Sequence, residues 1–366
     1  MSIFTADKRH GVRRSTRAER GGGGKIGSMR GLVTGSTGLL GYALVEELLE
    51  QGHTVRAMVR STSNRSLIDK LDVEKVVGDL RDRASLRSAV QGMDWVFSVG
   101  ALFWSPRSQD IYDANVLGQR WFMDESKSAG VKKFVHVNGV TSIGHCSNGE
   151  HLDEEAVPNI LHMADHGELS LFLGYVEMLK AVRRGCPALN VALTFLIGPK
   201  DPIPSPSGQL LVAYLNRRVP GYPAGGLNFI DARDTARALI RAAEVGEVGE
   251  RYIIGNQNLK FRDFFRLIED VTRVPAPRFR MPHQILYPIG LVAPLVSKYI
   301  THTLPIIDLS RVRMADLTYH YSNEKAVRAF GLTFRDLQET ITDATRWFRD
   351  NGYITNKKSL EAVRGL

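Results

Sequence analysis

The chain of 366 residues contains only two cysteines, Cys146 and Cys186, which are too few for a disulfide framework. This scarcity favours a reducing compartment, and we expect a cytoplasmic location. The sequence also lacks an uninterrupted apolar run of about 18 residues, so no transmembrane span is predicted. Its hydrophobic content of 43% is nevertheless ample for a globular core.

The sequence lacks the spacings that are typical of zinc sites, since it has neither a His-Glu-x-x-His nor a Cys-x-x-Cys pattern. His162 and His166 lie four residues apart on a predicted helix, with His151 and the acidic residues 153–155 upstream. Because the acidic residues fall in a predicted loop, we interpret all these side chains as solvated polar groups. No metal is predicted.

The net charge of +9 is unevenly distributed. Residues 1–28 carry seven basic and two acidic side chains, so more than half of the excess lies there. Four consecutive glycines and the lack of apolar periodicity predict a flexible basic extension outside the fold. We expect this extension to come from an upstream translation start or from an added segment. The alternative is an Arg-rich targeting peptide. The charge therefore does not predict a nucleic-acid partner.

A glycine-rich segment, Thr34–Gly41, lies between a short apolar run, Gly31–Val33, and the amphipathic stretch Leu39–Gln51. This pattern predicts a strand, a tight turn and a helix within one βαβ unit, which is the setting that a dinucleotide-binding fingerprint requires. Free N–H groups at the start of the helix would receive the negative charge of a pyrophosphate. We therefore predict dinucleotide binding at this turn.

Three glycines of this segment have separate physical roles. Gly35 permits the turn, Gly38 lets a pyrophosphate approach the backbone, and Gly41 lets the helix pack against the strand. The predicted cofactor-binding residues of the turn are Gly35, Ser36, Thr37, Gly38, Leu39, Leu40 and Gly41.

Further cofactor contacts are predicted where the next strands end. Strand 53–60 ends in Arg60, and a basic residue there suits a 2′-phosphate, whereas NAD-preferring folds usually carry an acidic residue. Arg60, with help from Arg65, therefore favours NADP(H), and NAD is the less favoured cofactor. The remaining predicted cofactor residues follow the third and fourth strands or lie in the next helix, and they are Asp79, Leu80, Gly100, Ala101 and Asn115.

Strand and helix patterns alternate from the first strand to the fifth, which predicts an α/β fold with a doubly wound parallel sheet. We expect a dinucleotide-binding core at residues 29–200 and a smaller C-terminal substrate-binding region at residues 201–353. Within the second part, residues 227–255 are expected to return to the core. Residues 354–366 are basic and are expected to form a loose tail.

Several motifs together resemble the extended short-chain dehydrogenase/reductase family. They are Thr34–Gly41, Gly78-Asp79-Leu80, Asn115, Gly198–Asp201 and Phe229–Asp234. The most similar branch contains dihydroflavonol reductases, 3β-hydroxysteroid dehydrogenases and nucleotide-sugar epimerases. The resemblance covers roughly residues 30–350 and implies a Rossmann-type fold with NAD(P)-dependent chemistry.

The resemblance also implies a Ser or Thr after the fifth strand and a Tyr-x-x-x-Lys pair on the next helix. In that family the tyrosine exchanges a proton with the substrate, and the lysine lowers the pKa of the tyrosine. Here the expected serine position falls at Asn138 or Gly139, and neither residue has a hydroxyl. The nearby Thr141 and Ser142 are the predicted substitutes.

The tyrosine–lysine pair departs from the family pattern as well. Tyr175 and Lys180 are five residues apart instead of four, which places them about 140° apart around a helix rather than about 40°. Another alignment of the same helix puts Gly167 and Leu171 at the tyrosine and lysine positions. Tyr175 and Lys180 remain the nominal catalytic candidates, and His166 is a further substitute.

These features predict an NAD(P)-dependent oxidoreductase that acts on a ketone or a secondary alcohol of a flavonoid-, sterol- or terpenoid-like small molecule. A nucleotide-sugar epimerase or dehydratase is the alternative within the enzyme class, with Arg217, Arg218 and Arg251 as candidate diphosphate ligands. The altered proton-transfer residues leave open a non-catalytic NADP-binding sensor or scaffold protein. A homodimer is a further expectation.

The most apolar part of the chain is residues 283–303, which Pro288, Pro294, Lys298 and His302 interrupt. We expect this segment to form core or a lid over a substrate pocket. A membrane surface is the less favoured interpretation, because the sequence pairs no basic face with a clean apolar one.

Overall fold

The computed structural model describes residues 27–146, 149–159, 161–162, 164–296, 299, 312 and 315–366. The predicted basic extension therefore lies almost entirely outside the described residues. The same holds for residues 297–298 and 300–303 of the apolar segment.

The described strands, in chain order, are β1 (Arg30–Thr34), β2 (Thr54–Val59), β3 (Glu74–Val77), β4 (Trp95–Ser98), β5 (Lys133–Gly139), β6 (Ala188–Leu193), β7 (Phe195–Ile197), β8 (Gly226–Asp231), β9 (Arg251–Ile254), β10 (Gln257–Lys260) and β11 (Thr318–Tyr319). The described helices are α1 (Leu39–Glu50), α2 (Arg83–Ala89), α3 (Ser108–Tyr112), α4 (Gln119–Ser128), α5 (His166–Arg183), α6 (Pro206–Leu215), α7 (Ala232–Val245), α8 (Phe261–Thr272), α9 (His283–Val296), α10 (Glu324–Phe330), α11 (Leu337–Asp350) and α12 (Lys357–Ala362). A π-helical turn, Asp113–Gly118, joins α3 to α4.

Seven of the described strands form one parallel sheet in the order β3-β2-β1-β4-β5-β6-β9. The order reverses between β1 and β4, which is the topological switch point where such sheets bind ligands beyond the carboxyl ends of their strands. The predicted doubly wound parallel fold is confirmed.

Helices cover both faces of this sheet, as a parallel sheet requires. On one face, Leu44 and Leu48 of α1 and Leu239 of α7 pack in a cluster with Val33 of β1. On the other face, Met178 of α5 joins a cluster formed with α2 and α4. The apolar spacing that predicted α1 is therefore the spacing of its buried face.

The C-terminal part of the chain adds a second, smaller sheet. Strand β8 pairs with β10 antiparallel and with β7 and β11 parallel. An aromatic core lies beside this sheet, in which the rings of Phe229 and Phe264 stack with centroids 4.0 Å apart and Phe348 of α11 is fully buried. The substrate-binding role of this region stays a prediction.

The prediction of a loose tail at residues 354–366 is wrong. Residues 357–362 form α12, which begins where the side chain of Asn356 accepts a hydrogen bond from the backbone N–H of Ser359. Ile354 and Val363 are buried in the aromatic core. Arg349 of α11 donates to the carbonyls of Val363 and Leu366. The prediction failed because it relied on the basic composition of residues 354–366 and overlooked their few apolar side chains.

The apolar segment that begins at His283 also departs from expectation. Residues 283–296 form α9, and Gly290 is buried, but several large apolar side chains of this helix lie on the surface. The interpretation of the segment as core is therefore wrong for that side of the helix.

Candidate active site

The turn after β1 has the geometry that glycine alone supplies. Gly35 has a φ of 66°, and its carbonyl accepts a hydrogen bond from the N–H of Gly38 at 3.0 Å. A Cβ on Gly35 would lie 2.9 Å from the backbone of Gly100, and a Cβ on Gly41 would lie 2.1 Å from the carbonyl oxygen of Gly35. Neither position tolerates a side chain without movement of the backbone.

Gly38 differs from the other two glycines because it is not crowded by protein. It is exposed, and a Cβ added to it would meet only the carbonyl oxygen of Gly35, at 3.5 Å. Gly38 is also the N-cap of α1 and provides no side chain to bond the first N–H groups of the helix. The open surface and the free N–H groups together fit a pyrophosphate.

The other residues of the predicted turn mostly support it. Ser36 is buried, and its hydroxyl donates to the carbonyl of Met58 at 3.0 Å. Leu39 and Leu40 are buried, whereas Thr37 is half-buried. These contacts indicate that a dinucleotide would be held here chiefly through the backbone.

The ends of β1 and β4 are joined at the switch point. The hydroxyl of Thr34 accepts a hydrogen bond from the N–H of Gly100 at 3.0 Å. Gly100 and the next residue, Ala101, are partly exposed at this edge. The predicted close approach of a cofactor beside these two small residues fits their position.

Two arginines lie at the edge where the adenosine end of a dinucleotide is expected. Arg60 is exposed at the end of β2, while Arg81, which the sequence did not single out, bonds the carboxylate of Asp79 at 3.1 and 3.0 Å. The pKa of Asp79 is lowered first by the hydrogen bonds from Arg81 and further by the positive charge of Arg60. Arg65 forms an ion pair with Asp69 at 3.7 Å.

Asn115 fixes the loop after β4 to α5. Its side-chain oxygen accepts from the N–H of Leu102 at 2.9 Å, and its side-chain nitrogen donates to the carbonyl of Leu102 at 2.8 Å and to Ser170 at 2.9 Å. Asn115 is buried, as is Leu80, the other predicted cofactor residue in this neighbourhood. Both therefore position the site, and their side chains are not presented at its surface.

The structure separates the roles of the two predicted hydroxyl residues. Ser142 is buried, donates to the carbonyl of Gly139 at 2.9 Å and accepts from Asn138 at 3.1 Å. Thr141 is partly exposed, and a Cβ on Gly139 would lie 3.5 Å from its hydroxyl oxygen. Thr141 thus places a hydroxyl beside the position from which a serine at residue 139 would project.

The structure does not bring Tyr175 and Lys180 together as a catalytic pair. Lys180 is exposed and forms an ion pair with Glu177 at 2.7 Å. The ring of Tyr175 lies against the guanidinium of Arg251, whose central carbon is 3.6 Å from the ring centroid. The five-residue spacing therefore has the consequence expected of a regular helix, in which the two side chains face different sides.

The second alignment of α5, which puts Gly167 and Leu171 at the tyrosine and lysine positions, also provides no proton donor. A Cβ on Gly167 would lie 2.7 Å from the carbonyl oxygen of Phe103, in the loop after β4, so that loop fills the start of any side chain there. Leu171 is buried and apolar. Gly167 therefore has neither a hydroxyl nor the space for a tyrosine side chain, and Leu171 provides no cation.

A tyrosine–histidine pair that sequence reasoning missed lies at the start of α5. The hydroxyl of Tyr112 and Nδ1 of His166 are 3.1 Å apart, and the ring centroids are 5.8 Å apart. His166 is the residue immediately before Gly167, and Tyr112 is the last residue of α3. The contact spans 54 residues, so local periodicity carries no signal for it.

The three candidate diphosphate ligands differ in their accessibility. Arg251 is buried against Tyr175, and burial lowers the pKa of its guanidinium, so it is not available as a diphosphate ligand. Arg217 and Arg218 are exposed after α6. In the part of the chain that the structure describes, no group of three or more His, Cys, Asp or Glu side chains is arranged to hold a metal ion.

Comparison with known proteins gives a consistent family. Residues 31–255 match the model of the NAD dependent epimerase/dehydratase family. A putative dihydroflavonol 4-reductase of Synechocystis is 31% identical over 88% of this chain and 95% of its own length. Sterol demethylase protein B of Methylococcus capsulatus is 30% identical over 89% of this chain and 100% of its own length.

A solved structure supports the same assignment. The crystal structure of gox2253 superposes with a TM-score of 0.79 at 32% identity, and the match covers 90% of this chain and 100% of that one. The predicted resemblance to extended short-chain dehydrogenases/reductases is confirmed by these matches. This chain belongs to the NAD-dependent epimerase/dehydratase family.

Proposed function

We propose that the protein is an NADP(H)-dependent oxidoreductase that interconverts a ketone and a secondary alcohol on an apolar small molecule. The open backbone at Gly38, above the uncapped start of α1, is the observation that carries the proposal. Two relatives named as a dihydroflavonol reductase and a sterol demethylase protein favour a flavonoid- or sterol-like substrate. The two free, buried cysteines favour a cytoplasmic location.

The preference for NADP(H) is supported by charge at the adenosine edge. Arg60 is exposed at the end of β2, where a 2′-phosphate would lie, and Arg81 adds a second positive charge beside Asp79. No acidic residue occupies the end of β2, where an NAD-preferring fold places its ribose ligand.

The chain itself must hold the substrate oxygen and exchange a proton with it. When bound, the dinucleotide supplies hydride to the carbonyl carbon or accepts it from the alcohol carbon. In our proposal the hydroxyl of Thr141 bonds the substrate oxygen, and the Tyr112–His166 pair transfers the proton to that oxygen during reduction. Because His166 is exposed, the pair regains its proton from water.

The test is turnover of ketones, flavonoids and sterols followed by loss of NADPH absorbance. Removal of a general acid typically lowers the rate about 10² to 10⁴-fold, so we expect losses of that size for Tyr112→Phe and His166→Asn with NADPH binding retained. Tyr175→Phe is the matched control and should turn over normally. Full activity of both Tyr112 and His166 variants would refute the assigned proton donor.

A non-catalytic NADP(H)-binding protein is the second candidate. It is favoured by Gly139, Gly167 and Leu171, which stand where the family pattern implies a hydroxyl, a tyrosine and a lysine. Tight NADPH binding without turnover of any compound in the panel, nucleotide sugars included, would establish this candidate over the oxidoreductase. Nucleotide-sugar chemistry has less support, because Arg251, one of the three candidate diphosphate ligands, is buried, whereas Arg217 and Arg218 are exposed.

A further inference from the structure

Helix α9 presents an apolar stripe at the protein surface. Among the described side chains of this helix, the exposed large hydrophobic ones, each between 36% and 57% accessible, are Ile285, Tyr287, Leu291, Val292, Leu295 and Val296. At 100° per residue these six positions fall within an arc of about 180° around the helix. Phe279, a few residues before the helix, is also exposed. The exposed residues therefore form one continuous face rather than scattered single contacts.

The chain around this stripe is basic and contains no acidic residue. Between Asp270 and Asp308 the sequence has no Asp or Glu, although the whole chain contains 39 of them. Arg273, Arg278 and Arg280 lie in this interval and are exposed. Exposed apolar side chains that are preceded in sequence by three exposed arginines, in an interval without acidic residues, match the chemistry of an interface that contains anionic lipid headgroups.

The described part of α9 has the dimensions of a helix that lies on a bilayer rather than across it. The 14 described residues of α9 correspond to about 21 Å, which is shorter than the roughly 30 Å of a hydrocarbon core. Among the described residues, no helix combines the length and the apolar character that crossing a bilayer requires. A second copy of the chain is a poorer occupant, because pairing the two faces would bring like-charged arginines together.

We propose that α9, together with Arg278 and Arg280, docks the protein on the surface of a bilayer that contains anionic phospholipid. The apolar stripe enters the boundary between headgroups and acyl chains, and the arginines contact lipid phosphates. This proposal does not depend on turnover or on the cofactor, since it rests on a surface remote in sequence from the dinucleotide turn.

The test is co-sedimentation of the full chain with vesicles of phosphatidylcholine alone and of phosphatidylcholine mixed with phosphatidylglycerol. We expect binding to the mixed vesicles. Each buried leucine contributes on the order of 1.5–3 kcal/mol, so Leu291→Glu combined with Leu295→Glu should weaken partitioning at least about tenfold. Val157→Glu, at a side chain that is 83% exposed elsewhere, is the matched control and should bind normally.

A second variant tests the electrostatic part. Each basic residue near an anionic surface contributes about 1 kcal/mol, so Arg278→Gln with Arg280→Gln should weaken binding to mixed vesicles about tenfold or more. Added salt should have a smaller effect on this variant than on the natural chain. NADPH binding should be unchanged in both double variants, which checks that they are folded.

Three outcomes would overturn the proposal. The first is that the natural chain does not sediment with mixed vesicles. The second is that the Leu291/Leu295 variant binds as well as the natural chain, because binding would then come from the basic extension at residues 1–28. The third is a chain that is dimeric without lipid and becomes monomeric in that variant, which would make a second copy the occupant of α9.

Discussion

Gly38 and Gly41 are three residues apart at the start of α1, but a side chain at each would have a different effect. At Gly38 a side chain has room and a φ of −91°, which any residue adopts, so Gly38→Val should fold with little change in melting temperature. It should nevertheless abolish NADPH binding, because the added methyl groups occupy the surface where the pyrophosphate would lie.

At Gly41 the added Cβ would lie 2.1 Å from the carbonyl oxygen of Gly35. Because of this overpacking, Gly41→Ala should lower the free energy of unfolding by about 1–3 kcal/mol or more. For both variants, NADPH affinity should be measured by fluorescence titration and the melting temperature by thermal unfolding. Retained NADPH affinity in folded Gly38→Val would refute the pyrophosphate assignment.

Arg60 and Arg65 provide a matched pair for the 2′-phosphate. A charge-assisted hydrogen bond contributes about 1.5–3 kcal/mol, so Arg60→Ala should weaken NADPH relative to NADH roughly ten- to a hundredfold. Arg65→Ala should have a smaller effect, because Arg65 is already paired with Asp69. The dissociation constants of both cofactors should be measured for each variant. An equal loss of NADPH and NADH affinity in Arg60→Ala would mean that this arginine does not select the phosphate.

At the scale of single elements, the strand–turn–helix unit was predictable because its causes are local. The φ of Gly35, the crowding at Gly41 and the apolar spacing of α1 all arise within about 20 residues of sequence. The same reasoning gave the order of alternating strands and helices. It also predicted that Tyr175 and Lys180 would face different sides of α5, as they do, since a five-residue spacing separates side chains on any regular helix.

Contacts between distant elements were not predictable in this way. The Tyr112–His166 pair joins α3 to α5, and the stacking of Tyr175 on Arg251 joins α5 to β9. Neither contact leaves a periodic signal, because each depends on how two elements pack. A surface position for α9 was the less favoured interpretation for a related reason, since apolar sequence alone does not distinguish a buried face from an exposed one.

Helix α12 provides a stability test at this scale. Val363 is fully buried in the aromatic core, so Val363→Ala should lower the free energy of unfolding by about 2 kcal/mol. Lys358→Ala is the control on the exposed side of α12, which Val363 directly follows, and should change the free energy of unfolding by less than about 0.5 kcal/mol. Urea unfolding measures both values. If residues 354–366 were instead a loose tail, both substitutions would change the free energy of unfolding equally little.

At the scale of the whole molecule, two buried carboxylates join helix α7, which packs beside the parallel sheet, to the C-terminal helices. Asp231, which ends β8 and caps α7, accepts hydrogen bonds from Arg233 and from Thr340 of α11. Asp234 in α7 accepts from Arg237 and from both the guanidinium and the backbone N–H of Arg335. We therefore expect the two sheets and their helices to unfold as one cooperative unit.

Asp234→Asn tests this coupling, because the substitution removes the charge that Arg237 and Arg335 share. Hydrogen bonds to charged groups contribute about 1.5–3 kcal/mol, and both arginines are partly exposed, so we expect a loss of about 2–3 kcal/mol rather than the larger penalty of a fully buried pair. Combining Asp234→Asn with Arg335→Met should cost less than the sum of the two single changes.

Amide hydrogen exchange distinguishes local loosening from global destabilisation in the Asp234→Asn variant. If the molecule unfolds cooperatively, the slowest amides of α1 and of α11 should accelerate by the same factor, roughly thirty- to a hundredfold for a loss of about 2–3 kcal/mol. Faster exchange in α11 with unchanged exchange in α1 would mean that the C-terminal helices open independently. In that case Asp234 would fix the C-terminal helices to the parallel sheet without contributing to the stability of the sheet itself.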